Sequence, residues 1–213
     1  MYKTYLLGNG GYAQECFEQF VLGGVIQDFG GFLILKNNKL VIINEDGVDD
    51  FKYPHKSSFV LGTGHRTWRK KFLEHLFKIY EQDINHFPNI VANEAHLSQT
   101  SRLGIGNVLN CFAMTNANAD IGNFNLLNCY ASVHHGVRMG SHNIFTTYAA
   151  ALGYCNIGDN NWLGNGTTVT QRTNIGNENT LSSGEHLFDD MTDGQLFQSG
   201  VIFDKSPKND NTI

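Results

Sequence analysis

The feature that most constrains the fold is a six-residue repeat in the C-terminal half of the chain. Stepping by six from Leu97 to Leu181 meets fifteen positions, of which fourteen are apolar. The fourth residue after each of them is mostly small or short and polar. A longer repeat of 18 residues is superimposed on the six-residue repeat: the pattern apolar-Gly-x-x-Asn recurs five times, once in every third hexapeptide. The five copies are LGIGN 103–107, IGNFN 121–125, MGSHN 139–143, IGDNN 157–161 and IGNEN 175–179.

A repeat of this kind determines how successive segments of the chain stack on one another, so it is interpreted before any other sequence pattern. One hexapeptide forms a short strand and a corner, so three of them close a triangular coil. The apolar residue points inward, while Gly or Asn tolerates the unusual backbone of a corner. Parallel pairing between coils gives a rise of about 4.8 Å. We therefore predict an all-β, left-handed parallel β-helix of the hexapeptide-repeat kind; a β-sandwich would not keep this register.

Stacking also places like residues above one another. We expect a ladder of the five repeat asparagines on one edge of the β-helix, and Cys111 above Cys129 as stacked thiols rather than a disulfide bridge.

The N-terminal part has a different pattern and holds most of the aromatic and basic residues. TYLLGNGGYAQECFEQF predicts a strand, a glycine turn and a helix, and SSFVLGTGHRTWRKKFLEHLFKIYEQ predicts the same again. Between them, a hairpin is predicted around Asn37-Asn38. The second helix is predicted to present one apolar face formed by Trp68, Phe72, Leu76 and Ile79. We predict an α/β Rossmann-like domain over residues 1–85 and the β-helix domain with a C-terminal tail over residues 86–213.

The two glycine turns are candidate binding loops. Glycines at the carboxyl end of a strand let the backbone approach a phosphate at a helix N-terminus. A tight strand-to-helix turn needs glycines in any case, so a purely structural role stays open. The residues of the two turns are Gly8, Asn9, Gly10, Gly11, Gly62, Thr63 and Gly64.

Composition excludes several classes of partner. The net charge is −5 and only 16% of residues are charged, so no nucleic-acid partner is expected. No apolar run approaches the roughly 20 residues of a membrane span, and the first residues do not form a signal peptide.

The four cysteines contain no CxxC pair. We expect a cytoplasmic protein with reduced thiols, without a membrane or a metal.

Three segments together resemble the bacterial sugar acetyltransferases of the PglD and NeuD type: LLGNGGYAQE, VLGTGHRTWRKKF, and ASVHHGVRMG with the coils up to LSSGEHLF. The likeness covers nearly the whole chain. It implies an acyltransferase of cell-surface polysaccharide biosynthesis that moves an acetyl group from acetyl-CoA to the amine of a nucleotide-linked amino sugar, as a homotrimer. O-acetylation of a sialic acid or related glycan stays open, as does an inactive homologue that only binds a nucleotide sugar. A zinc enzyme of the carbonic-anhydrase kind is disfavoured, because that class lacks the N-terminal unit.

The resemblance also implies site residues. His135 matches the general base, with His134 as the second candidate, and the nucleotide would bind on the two glycine turns. Acetyl-CoA would lie along the coils between neighbouring subunits, with contacts at His142, Gly153, Gly164 and Gly184. Two positions differ from the family. Gly136 stands where an acidic residue usually supports the histidine, and Ile144 stands where some members have a second histidine.

The register gives an independent reason to choose His135. Val133 is an inward position, so His135 faces outward, where a groove in a trimer would shelter it. Imidazole has a pKa near 6.5 and can accept a proton from an attacking amine or hydroxyl at neutral pH. A surface pair of histidines without a catalytic role remains the alternative.

Overall fold

The computed structural model describes residues 2–44, 47–80 and 83–204. The chain divides into two compact units, residues 1–93 and 94–213. Residues 205–213, which form most of the predicted C-terminal tail, lie outside the described residues. In the described parts of the chain, no helix is both long and apolar enough to cross a membrane.

The first unit combines a small sheet with two α-helices. Its elements are β1 (Lys3–Leu7), α1 (Gly11–Cys16) continued by a π-helical segment (Phe17–Leu22), β2 (Phe29–Lys36), β3 (Lys39–Asn44), β4 (Gly47–Asp50), β5 (Ser57–Val60), α2 (Arg66–Tyr80), a 3₁₀ turn (Ile84–His86) and β6 (Ile90–Val91). Both predicted strand–turn–helix segments are present, as β1 with α1 and as β5 with α2.

The sheet of this unit has the order β4-β3-β2-β1-β5. β1 pairs in parallel with β2 and with β5, whereas β2, β3 and β4 are antiparallel. The predicted hairpin is confirmed: Asn37 and Asn38 have φ of 50° and 58°, the left-handed values that a two-residue turn between strands requires. The prediction of a Rossmann-like domain is met only in part, because only three of these five strands pair in parallel.

Helix α2 packs through a different stripe from the one predicted. Phe72 and Leu76 are buried as expected, but Trp68 and Ile79 are 43% and 40% exposed, so the prediction was wrong at these two positions. The buried stripe instead includes Arg69. The shift is possible because the guanidinium of Arg69 finds backbone carbonyls as partners inside the unit. The largest buried side chains of the unit are Leu6, Leu7, Phe20, Leu33, Leu40, Phe59, Leu76 and Phe87.

The second unit is a parallel β-solenoid of two-residue strands. These are β7 (His96–Leu97), β8 (Arg102–Leu103), β9 (Val108–Leu109), β10 (Met114–Thr115), β11 (Asp120–Ile121), β12 (Leu126–Leu127), β13 (Ser132–Val133), β14 (Arg138–Met139), β15 (Ile144–Phe145), β16 (Ala150–Ala151), β17 (Asn156–Ile157), β18 (Trp162–Leu163), β19 (Thr168–Val169), β20 (Asn174–Ile175), β21 (Thr180–Leu181) and β22 (His186–Leu187). Two longer strands follow, β23 (Gln195–Gln198) and β24 (Val201–Asp204).

From β7 to β19, each short strand pairs with the strand three hexapeptides later, which confirms the predicted triangular coil. Ser132 and Val133, for example, pair with Ala150 and Ala151. The second residue of each strand is the predicted inward position, and from Leu109 to Leu181 all of these positions are buried. Leu97 is 42% exposed, because no coil of this unit lies below it. The hydrophobic core of the solenoid therefore consists of stacked side chains contributed by three sheets, one on each side of the coil.

The asparagine ladder is present, and it lies inside the coil. The repeat asparagines Asn107, Asn125, Asn143, Asn161 and Asn179 are all 0% exposed. The amide oxygen of Asn125 accepts the backbone N–H of Asn143 at 2.8 Å, and the amide N–H of Asn143 is donated to the carbonyl of Gly158 at 2.9 Å. Each asparagine thus links its own coil to its neighbours and satisfies buried backbone groups at the corner.

The six-residue register continues beyond the predicted range and then shortens. Leu187 is in phase and fully buried. After it, Met191 bridges Ile175, and Phe197 pairs with Leu181, so the last coil is shorter than the others by two positions. β23 is followed by β24 in an antiparallel hairpin, so β24 is the last described strand at this end of the sheet.

Candidate functional site

His134 and His135 lie at a corner of the solenoid between β13 and β14. Val133 points into the coil and is fully buried. His134 is half-buried and His135 is exposed, as the register predicted. The β-helix therefore holds the imidazole of His135 on the outside of a rigid corner, where a substrate can reach it.

The next coil of the same corner carries Gly153 and Tyr154. A side chain at Gly153 would place its Cβ 2.5 Å from Cε1 and 2.8 Å from Nε2 of His135, so the imidazole lies directly against this glycine. The ring centroid of Tyr154 is 4.9 Å from that of His135, with an interplanar angle of 77°. Gly136, where an acidic residue was expected, has φ of +65° and faces the ring of Tyr154.

The two neighbouring histidines differ in environment. Partial burial, and after it the neighbouring His135, lower the pKa of His134 below the usual histidine value. His134 is consequently neutral at physiological pH and adds no fixed positive charge next to His135. The difference in exposure favours His135, because a substrate reaches an exposed ring more readily than the half-buried ring of His134.

The predicted cofactor contacts lie at three different corners of the coil. Gly153 shares the corner of His135, whereas His142 lies at the next corner, between β14 and β15, with its ring stacked on Phe124 at 5.4 Å. Gly164 and Gly184 lie at the third corner, after β18 and β21. A Cβ at Gly164 would lie 2.5 Å from the backbone nitrogen of Ser183, so the close stacking of the coils excludes a side chain there. A single copy does not bring these four residues around one groove.

A feature that the sequence analysis missed is a column of aromatic rings at this third corner. The centroids of Phe112 and Tyr130 are 4.9 Å apart, and those of Tyr130 and Tyr148 are 4.8 Å apart. The planes are nearly parallel, at 14° and 12°. The recurrence of three aromatic residues, each one coil after the last, was a signal that could have revealed it.

The two glycine turns of the first unit come together around one cavity of about 490 Å³. Gly8 has φ of +123°, and a Cβ there would lie 2.8 Å from the carbonyl oxygen of Gly62, so the turns touch. Tyr12, Trp68 and Phe72 complete an aromatic part of the lining. All seven turn residues predicted to bind substrate line this cavity: Gly8, Asn9, Gly10, Gly11, Gly62, Thr63 and Gly64.

Arg69 supports the second turn from the interior, a role that no sequence pattern indicated. Its Nη1 donates to the carbonyl oxygen of Thr63 at 3.1 Å and to that of Leu61 at 3.4 Å. Burial lowers the pKa of Arg69 to about 10, which leaves it cationic at neutral pH. The turn is thereby held in place by a buried positive charge, which favours an anionic ligand in the cavity.

A further open groove of about 620 Å³ crosses the face of β11, β14, β17 and β20. Its polar lining includes Asp120, Arg138, Asn156 and Asn174. Asp120 is held by Arg102, whose Nη2 lies 2.6 Å from the carboxylate. Within residues 2–44, 47–80 and 83–204, no three His, Cys, Asp or Glu side chains form a group that could hold a metal ion.

Neither a protein-family model nor a curated protein sequence matches the chain. Several solved structures, however, resemble the structure of this chain. A variant of perosamine N-acetyltransferase from Caulobacter crescentus, in complex with CoA and GDP-perosamine, superimposes with a TM-score of 0.79 at 20% identity, covering 97% of this chain and 98% of that one. The acetyltransferase domain of PglB from Neisseria gonorrhoeae, with acetyl coenzyme A, gives a TM-score of 0.75 at 19% identity, covering 91% and 94%.

WeeI from Acinetobacter baumannii matches over 95% of this chain and 100% of its own, with a TM-score of 0.67 and 12% identity. At these identities the likeness concerns the fold. The resemblance seen in the sequence is confirmed at that level, over nearly the whole length of the chain.

Proposed function

We propose that this chain is an acyltransferase that moves an acetyl group from acetyl-CoA to the amine of a nucleotide-linked amino sugar. One observation carries the proposal: the chain shares its fold, over nearly its whole length, with an N-acetyltransferase solved with CoA and a nucleotide sugar. The exposed imidazole of His135 on a coil corner supplies a group suited to that chemistry. The proposed location is the cytoplasm, where acetyl-CoA and nucleotide sugars are both made.

His135 acts as general base in this proposal. The sugar amine attacks the carbonyl carbon of the thioester while the imidazole takes the proton that the nitrogen loses. The C–S bond then breaks, and the imidazolium returns the proton to the leaving CoA sulfur, giving an amide and free CoA. A histidine suits both steps because its pKa lies near neutral pH. His134, half-buried and neutral, is the second candidate.

The cavity between the two glycine turns is the proposed site for the nucleotide. Its volume of about 490 Å³ suits a nucleoside diphosphate. A Cβ at Gly10, Gly11 or Gly64 would meet nothing within 4 Å, so there is open space beside the backbone of both turns for a ligand. The positive charge of Arg69 behind the turn complements the phosphates. In this role the first unit serves as a Rossmann-like nucleotide-binding domain.

Acetyl-CoA is proposed to lie along the coils, at His142, Gly153, Gly164 and Gly184, and no metal takes part. These residues lie at three corners that face different directions, so no groove of one copy contains them all. A homotrimer would place corners of neighbouring copies opposite one another. The spread of the predicted contacts thus supports a donor site shared between subunits.

The proposal is tested by following CoA release with a thiol reagent, with UDP-, GDP- and dTDP-linked amino sugars as acceptors. We expect His135→Ala to lower kcat/KM by about 10²- to 10⁴-fold, because a general base contributes that much. His96→Ala is the matched control, since His96 is also exposed on a strand of the solenoid. Equal turnover by wild type and His135→Ala on a good acceptor would show that His135 is not the base.

The same assay separates the alternatives. CoA release with sialic acid but with no amino sugar would favour the O-acetyltransferase. Stabilisation by nucleotide sugars in a thermal shift assay, without CoA release from any acceptor, would favour an inactive binding protein.

A further inference from the structure

The surroundings of His135 follow from the stacking of two coils. Because each residue lies below the one that follows it by three hexapeptides, His135 lies below Gly153 and Gly136 lies below Tyr154. The backbone N–H of Tyr154 donates to the carbonyl oxygen of His135 at 3.0 Å, which fixes this alignment. In each stacked pair, one residue carries a large ring and the other carries no side chain.

Each ring occupies the space that the opposite glycine leaves free. A Cβ at Gly153 would lie 2.5 Å from Cε1 of His135, and a Cβ at Gly136 would lie 2.6 Å from Cδ1 of Tyr154. The two rings meet on the diagonal, edge to face, at 4.9 Å and 77°. Any side chain at either glycine would therefore displace one ring and disturb the other.

Tyr154 is itself held in place. It has φ of +61°, and the guanidinium carbon of Arg172, one coil further along, lies 5.6 Å from the centroid of its ring. This is the distance of a cation–π contact. The corner thus forms a chain of contacts from Arg172 through Tyr154 to His135.

This geometry differs from that of the other exposed corner tyrosines. Tyr130 and Tyr148 stack face to face on each other, at 12°. Tyr154 instead presents its ring to an imidazole across two glycines.

We infer that Tyr154 is a positioning residue for His135: its ring, seated over Gly136, holds the imidazole against Gly153 in the orientation needed for proton transfer. The inference rests on the proposed acetyl transfer. An aspartate at position 136 would place its Cβ in the ring of Tyr154, so the acidic partner and this ring exclude each other. The tyrosine supplies orientation without a negative charge.

The test compares Tyr154→Phe with Tyr154→Asn. Phenylalanine keeps the ring, and asparagine removes it while tolerating a positive φ, as Asn118 already does one coil before Gly136. We expect Tyr154→Asn to lower kcat by about 10- to 100-fold, because misplacing a catalytic group by about 1 Å has effects of this size. Tyr154→Phe should stay within about threefold of wild type.

Three readouts separate positioning from a general loss of structure. KM for both substrates and the inflection of the pH–rate profile should be unchanged in Tyr154→Asn, since asparagine introduces no charge and the charged or titratable neighbours, His134 and Arg172, remain. The NMR signal of the His135 Cε1–H should move in Tyr154→Asn, because the ring current of the tyrosine is lost. Tyr130→Asn, the same change at the same backbone φ on another corner, should leave kcat within about twofold.

The inference is wrong if Tyr154→Asn keeps the turnover of wild type, if Tyr154→Phe is as slow as Tyr154→Asn, or if the His135 signal does not move. Failure of the proposed function looks different: the wild type would release no CoA with any acceptor, while the NMR comparison would still decide whether the two rings are in contact.

Discussion

In the solenoid, a residue contacts the residue at the equivalent position of the next coil, which is often of the same or a similar type. Cys111 and Cys129 are an example: both are thiols that no disulfide joins, with their sulfur atoms 3.1 Å apart, as the repeat predicted. Partial burial, followed by the hydrogen bond to Cys129, raises the pKa of Cys111 to about 11. Stacking thus changes the chemistry of a residue as well as its packing.

We predict that Cys111 is a slow nucleophile at neutral pH. The thiolate is the reactive form, and a pKa near 11 instead of the usual value near 9 lowers its fraction about 100-fold below pH 9. Alkylation of Cys111 by iodoacetamide should therefore be slow at pH 8 and accelerate as the pH rises toward 11. Peptide mass spectrometry measures the rate, with free cysteine as the reference. A rate at pH 8 equal to that of free cysteine would contradict the prediction.

At the scale of the elements, the buried asparagines stabilise strands that are only two residues long. Each strand offers few backbone bonds of its own, so the corners need partners from side chains. The oxygen of Asn143 accepts the backbone N–H of Asn161 at 2.9 Å and its side-chain N–H at 3.0 Å. Removing one asparagine therefore leaves buried polar groups of the next coil without a hydrogen-bond partner.

We expect Asn143→Ala to lower the free energy of unfolding by about 2–4 kcal/mol, since it leaves buried donors and an acceptor without partners. Asn156→Ala is the control, because Asn156 is exposed and its bond to Asn174 lies at the surface; its effect should stay below about 0.5 kcal/mol. Urea denaturation followed by circular dichroism gives both values. Equal effects of the two variants would show that the ladder does not stabilise the coils.

The elements also show which parts of the fold and of the candidate site could be predicted from the sequence. Fourteen apolar residues at six-residue intervals determine the coil, because a coil of three hexapeptides turns all of these positions to the same, inner side. The outward position of His135 followed from the same register, and the two glycine turns followed from the strand–turn–helix pattern of the N-terminal part. Arg69 did not, since an arginine within a helix gives no sign that it will be buried against the carbonyls of the turn before that helix. Nor did Tyr154, because its contact with His135 depends on the absence of side chains at two glycines in different coils.

At the scale of the whole molecule, the proposed activity requires more than one copy. The predicted acetyl-CoA contacts lie at three corners that point away from one another. We therefore predict a homotrimer, which analytical ultracentrifugation should detect as a single species of three times the mass of the chain. Activity per chain should fall on dilution, with the same midpoint as trimer dissociation. An active species with the mass of one chain would contradict the shared donor site.

The hairpin of β23 and β24 has a consequence for solubility. A stack of parallel strands ends in a row of unpaired backbone groups, and identical ends could add to one another and grow into a fibril. The two-residue shortening after Leu187 and the antiparallel return of β24 break the geometry that another coil would need. We therefore expect the irregular end of this sheet to hinder the end-to-end addition of further copies.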